Sequence, residues 1–108
     1  MTKRQMNKIF ALLTAFTLMT SAEVKFNAIF TDNMILQRDK PVSIWGTADP
    51  NQQVTVTFAG QIHKAITDSS GEWNTTLKKL EASAENRTLT LISGNEQKNI
   101  SNILVGDV

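Results

Sequence analysis

From Glu23 onward, apolar residues recur at every second position in short runs, and no run keeps helical spacing. In Val54-Thr55-Val56-Thr57-Phe58, the two valines and the phenylalanine point to one face and the threonines to the other, as a half-buried strand requires. Trp73, Thr75 and Leu77 share a face within 72–77. Leu89 and Leu91 oppose Thr88, Thr90 and Ile92 within 87–93, and Val42 and Ile44 oppose Ser43 and Trp45 within 41–45. Weaker patterns over 26–30, 34–37, 61–66 and 98–105 bring the expected strands to about eight, the number of a sandwich.

Turn chemistry fills the gaps: Thr31-Asp32-Asn33, the stretch 46–51, Ala59-Gly60, Asp68-Ser69-Ser70-Gly71 and Ser93-Gly94-Asn95. None of these linkers is long enough for the helical crossover of a parallel sheet, so antiparallel connections are expected. Residues 80–86 have helix-friendly composition but span about two turns at most, and read as a loop with room for one helical turn. The predicted fold is therefore all-β: an antiparallel β-sandwich, immunoglobulin-like or galactose-binding-like, over residues 23–108.

Residues 1–22 carry a different pattern. Lys3, Arg4 and Lys8 precede an apolar run from Ile9 to Met19, and Thr20-Ser21-Ala22 supplies small residues before Glu23. This is the layout of a signal peptide cleaved after Ala22, and the run is shorter than the ~20 residues a membrane-spanning helix needs. An exported protein, periplasmic or extracellular and free of the membrane after cleavage, is expected. The segment also changes the charge reading. The chain has 11 basic and 10 acidic side chains, but removal of those three leaves eight against ten, a balance of −2. Such a body offers no electrostatic footprint for nucleic acid. There is no cysteine, so neither disulfides nor thiolate chemistry is available, and no metal-ligand spacing or cofactor motif occurs.

Several words of the sequence resemble the opening of bacterial sialate O-acetylesterases. They are the run Ile29-Phe30-Thr31-Asp32-Asn33-Met34-Ile35-Leu36-Gln37-Arg38, continuing through Trp45-Gly46-Thr47-Ala48-Asp49-Pro50; then Val54 to Phe58 with Gly60-Gln61; Asp68 through Gly71 with Trp73; and Asn102 to Val108. The resemblance implies an N-terminal β-sandwich attached in cis to an esterase domain of the SGNH-hydrolase type, which removes acetyl groups from O-acetylated sialic acids. In that family, the segment after Gly-Asp/Glu-Val continues through Trp into a Gly-Gln-Ser-Asn-Met block that holds the nucleophile. The chain is expected to stop before that block, as an accessory sandwich with the esterase domain absent. No catalytic residue can be carried onto it. Asn51 stands where the family often has glycine, and asparagine tolerates the positive φ of such a turn.

Individual residues invite sharper readings. His63 is the only histidine, but no carboxylate or nucleophile pattern accompanies it, so a surface role is expected. Ser43, Ser69 and Ser70 stand without catalytic partners, and Lys78-Lys79 is a solvated pair. The glycosylation-like triplets at Asn74, Asn86 and Asn99 arise often by chance, and the bacterial source that the resemblance implies would leave them without meaning. Trp45 and Trp73 have the chemistry of sugar-stacking platforms, yet core packing is expected for both because a small sandwich needs bulky filling. Asp32, Asn33, Gln37 and Arg38 surround Ile35-Leu36. They either bond the nearby backbone or help to dock the esterase domain. No catalytic, cofactor or metal residue is assigned. The alternative to an accessory domain is a free-standing secreted carbohydrate-binding or interaction module, which requires an exposed aromatic platform or polar groove.

Overall fold

In a computed structural model, which describes residues 22–108, the alternating segments form eight strands. These are β1 (Lys25–Phe26), β2 (Ile35–Gln37), β3 (Val42–Thr47), β4 (Gln53–Phe58), β5 (Gln61–Ile66), β6 (Glu72–Leu77), β7 (Ser83–Ser93) and β8 (Glu96–Gly106). They make a three-stranded sheet in the order β1-β3-β6 and a five-stranded sheet in the order β2-β8-β7-β4-β5. The expected all-β sandwich is present. The proposed signal peptide falls on residues outside the described ones, apart from Ala22.

The inner faces follow the period-two reading. Ile44, Trp73 and Leu77 come from the smaller sheet; Val54, Val56, Phe58, Leu89, Leu91 and Ile103 come from the larger one, and all are buried. Val24, Phe30, Ala48 and Leu80 close the core from the connections. Burying such side chains stabilises the fold by about 1.5–3 kcal/mol each. Two buried hydroxyls are satisfied by backbone: Thr67 Oγ1 donates to Gln52 O (2.9 Å) and Ser93 Oγ donates to Gln53 O (2.8 Å).

The expected turns appear where φ must be positive. Ala59 and Gly60, with φ of 50° and 81°, join β4 to β5, and Asn51 sits at 67°. Two positive φ values in a two-residue hairpin loop match the right-handed twist of the strands it joins. Residues 26–30 form less strand than expected: the chain leaves the sheet after Phe26 and turns, with Phe30 N donating to Asn27 O (3.0 Å). Residues 83–86 extend β7 instead of belonging to a loop or helical turn, because the long β8 offers them a partner, with Ser83 opposite Val105.

One pair departs from antiparallel geometry. β2 runs parallel to β8, with Ile35, Leu36 and Gln37 opposite Leu104, Val105 and Gly106. The crossover-length argument governs strands adjacent in sequence, whereas β2 and β8 are separated by five other strands. β8 also carries an irregularity: Leu89 pairs with Ile100 and Arg87 with Ile103, so β8 inserts one extra residue. That bulge lets Ile100 and Ile103, three apart, both reach the core.

Candidate functional site

Strand alternation in the smaller sheet sets the outer face opposite the core. Ile44 and Gly46 of β3 face inward, so Ser43, Trp45 and Thr47 face out. On β6, Trp73 faces inward while Glu72, Asn74 and Thr76 face out. Register places Trp45 directly opposite Asn74, and Thr47 opposite Glu72. Asn27, just past β1, donates its N–H to Trp45 O (2.9 Å) and so brings its side chain to the same face.

The result is a groove of about 400 Å³. Gly46 and Trp73 form its floor, Trp45, Asn74 and Asn27 line its walls, and Asp68 and Glu72 lie at its acidic end. Trp45 is 37% exposed, which corrects the expectation that it packs in the core. The physical reason is competition for one place. Trp73 fills the inner face beside Gly46, where an added Cβ would lie 2.8 Å from Trp73 Cζ2, and Trp45 is one residue out of phase with that position. The expectation holds for Trp73, which is 1% exposed and donates Nε1–H to Thr47 O (3.2 Å). Trp45 is held by a T-shaped contact with Phe30 at 4.8 Å between ring centroids. Phe30 in turn touches Phe26, and Phe26 touches Trp73.

The acidic end of the groove is rigid. Asp68 Oδ1 accepts from Ser70 N (2.9 Å), Ser70 Oγ (2.8 Å) and Glu72 N (2.9 Å). The Glu72 N–H above all, and then the Ser70 hydroxyl, hold the Asp68 carboxyl below its ordinary pKa. Ser70 is thereby a turn residue with its hydroxyl committed to Asp68. The side chains of Glu72 and Asn74 make no hydrogen bond to another described residue. Among the described residues, no basic side chain lines the groove. Lys25, opposite Thr47 in register, is not among the lining residues.

A second surface runs along β2 and β8. Asp32 Oδ1 accepts from Ser101 N (2.7 Å), and Asn102 Nδ2 donates to Asn33 Oδ1 (2.5 Å). Gln37 Oε1 accepts from Val108 N (3.2 Å), and its Nε2 donates to Asp107 Oδ1 (3.3 Å). These three polar residues stitch the 32–37 segment to the last strand and its end, through long-range bonds instead of the bonds to nearby backbone expected of a local turn. The Arg38 side chain, among the described residues, pairs with its neighbour Asp39 (Nε to Oδ2, 2.7 Å). Beside this seam lies a shallow apolar groove of about 420 Å³, lined by Ile35, Ala82, Ala84 and Leu104 among others.

The remaining candidates are not brought together. His63 is half-buried on β5, with Nε2 2.7 Å from Gln61 Oε1 and neither a hydroxyl nor a carboxylate as its partner. Ser43 faces outward opposite Thr76, and Lys78 and Lys79 are exposed. Among the described residues, no group of His, Asp and Glu is arranged to hold a metal ion. Sequence reasoning read Asp68 as a turn residue and assigned no binding role to Asn27, Asp68 or Glu72. The Asp68 turn was legible in the sequence, but its meeting with Asn27 and Trp45 depends on sheet register, which short-range pattern does not reveal.

No protein-family profile and no curated protein matches the chain. Solved structures do. A carbohydrate acetylesterase from Xanthomonas citri is similar over 78% of this chain, with a TM-score of 0.74 and 27% identity. Domains 4 and 5 of the S-layer protein SbsC (TM-score 0.53, 13% identity, 81% of this chain and 46% of that one) share the fold. A longer SbsC structure covering domains 4–9 does so too (0.55, 13%, 82% and 14%). The chain spans 19% of the length of the Xanthomonas esterase that it matches. Together, the identity and the fold similarity to that enzyme support an esterase-related origin for this β-sandwich.

Proposed function

We propose that residues 23–108 are the N-terminal accessory domain of an exported acetylesterase whose substrate is an O-acetylated sialic acid. The observation that carries this reading is the match to the carbohydrate acetylesterase from Xanthomonas citri. It extends over most of this chain and only 19% of that one, as one module of a larger enzyme would. The sialate substrate rests on the finer resemblance of the 29–50 run, and export rests on the basic and apolar pattern of residues 1–22. The esterase domain, joined in cis, would supply the serine that attacks the acetyl carbonyl and the donors that stabilise the tetrahedral oxyanion. The sandwich would supply a rigid platform beside it.

The reading predicts that the purified 108-residue chain releases no acetate from an acetyl ester. A protein read from the coding DNA onward past Val108 should release it from O-acetylated sialic acid. Turnover by the 108-residue chain above a heat-treated control would overturn the accessory role. Acetate release from acetylated neutral polysaccharide, with none from O-acetylated sialic acid, would overturn the sialate assignment and keep the esterase one.

A further inference from the structure

We infer that the Trp45 groove is a binding site for a neutral hexopyranose unit of a glycan. Three features of the groove converge on that ligand. Among the described residues, Trp45 is the only aromatic on the outer face of the smaller sheet, and it keeps more than a third of its surface open while its ring is held by an edge contact with Phe30. A pyranose presents a face of C–H bonds that stacks on such a ring, and an indole that is already immobilised loses little entropy on contact.

The polar groups around Trp45 are the right kind, and each keeps atoms that bond no other described residue. Asn74, directly opposite Trp45 in register, can both donate and accept. Asn27 uses Oδ1 to accept from Ile29 N (3.1 Å), which leaves its NH2 available. The Glu72 carboxylate bonds no other described residue, and Asp68 keeps Oδ2 outside the bonds made by Oδ1. Carboxylates accept strongly from sugar hydroxyls, and paired amides select among hydroxyl positions. The groove's volume of about 400 Å³ lies toward the lower end of the ~300–1,000 Å³ typical of small-ligand sites, which suits a single ring with its chain continuing into solvent.

Charge decides between neutral and acidic sugars. Asp68 is held in its ionised form by its hydrogen bonds, Glu72 stands beside it, and no lining residue is basic. A sialic acid carboxylate placed here would meet two like charges at short range, a cost only partly screened at physiological salt. The site therefore suits the neutral sugars of a glycan and disfavours its sialic acid. This assignment stands independently of the sialate reading, because binding at Trp45 and acetate release are separate measurements on separate proteins.

The test is an amide and indole NMR titration of the 108-residue chain with lactose, cellobiose and N-acetylneuraminic acid. The expected result is a saturable shift of the Trp45 indole and Asn74 side-chain signals with at least one neutral disaccharide, and a weaker response to N-acetylneuraminic acid. Trp45→Ala should weaken binding about tenfold, by loss of the stacking face. Asn74→Ala, a change at an exposed side chain that leaves the core intact, should weaken it about fivefold, by loss of one net hydrogen bond. If Trp45→Ala loses signal dispersion, Asn74→Ala carries the test alone. The assignment is overturned if neither signal moves with a neutral sugar, if N-acetylneuraminic acid binds as tightly, or if folded variants bind as the parent does.

Discussion

Asn33 and Asn102 lie 69 residues apart, both with left-handed backbones (φ 69° and 59°), and Asn102 donates its side-chain N–H to the side-chain oxygen of Asn33. Asn102 is the residue inserted in the β8 bulge, and Asn33 begins the segment that becomes β2. The same residue type therefore serves twice: it tolerates positive φ, and its amide ties the two irregular backbones together. Asn102→Ala should destabilise the domain by about 1–2 kcal/mol, from left-handed strain and the lost bond. Asn102→Gly should recover the backbone part. In thermal unfolding, each kcal/mol corresponds to about 4–8 °C for a domain of this size. A double-mutant cycle with Asn33→Ala that came out additive would show that the pair is not coupled.

Gly46 is required for a reason that its turn-like neighbours conceal. A Cβ added there would lie 1.9 Å from the Lys25 carbonyl oxygen, a backbone atom that cannot swing aside. Gly46→Ala should detach β1 or displace Trp73, at a cost of about 3 kcal/mol or more. Gly60 gives the contrast. Nothing lies within 4 Å of its added Cβ, but its φ is 81°, so Gly60→Ala should cost only about 1–2 kcal/mol. Equal midpoints for the two variants in urea would refute the close-approach argument.

The difference between these glycines shows where legibility ends. Period-two patterning located the cores of β3, β4, β6 and β7, because burial on one face writes itself into alternate residues. Turn composition located the hairpin at Ala59-Gly60. The pairing of β2 with β8 left no local trace, since strand partners distant in sequence are chosen by the whole sheet. The outward position of Trp45 was present in its alternation with Val42 and Ile44. A general preference for burying tryptophan overrode it, and only the position of Trp73 against Gly46 shows why that preference fails. Asp68 and Glu72 are neighbours in one turn, but Asn27 and Trp45 come from two other segments, so no spacing along the chain could reveal that all four meet in one groove.

Acid should loosen the turn that ends the groove. The Glu72 N–H and then the Ser70 hydroxyl lower the Asp68 pKa from its ordinary 3.8 in the folded state. A carboxyl with a depressed folded-state pKa contributes stability that is present above the unfolded value. That stability is lost as pH falls through the folded one. The contribution should therefore be intact at neutral pH and disappear only below about 3.8, the unfolded-state value. Glu23, lowered chiefly by its hydrogen bond with Lys98, acts in the same direction. Asp68→Asn retains an acceptor but cannot titrate, so its melting temperature should fall less steeply in acid than that of the parent. Parallel curves would show that Asp68 adds nothing to acid sensitivity.

The two tryptophans should respond unequally to truncation. Trp73 is among the largest fully buried side chains and anchors the Phe26 contact, with ring centroids 6.1 Å apart. Trp73→Ala should cost about 3–5 kcal/mol, the range for deleting a large buried aromatic, which is enough to unfold a marginally stable small domain. Trp45 contributes mainly its edge contact with Phe30, so Trp45→Ala should cost about 1 kcal/mol and leave a cooperative transition. Fluorescence quenching supplies a check without relying on stability. Acrylamide should quench Trp45 readily and Trp73 weakly, so the parent should show two classes of emitter and Trp45→Phe a single protected one. A Trp45→Phe protein still quenched like the parent would mean that the exposed ring is not Trp45, and both the outer-face assignment and the groove built on it would fail together.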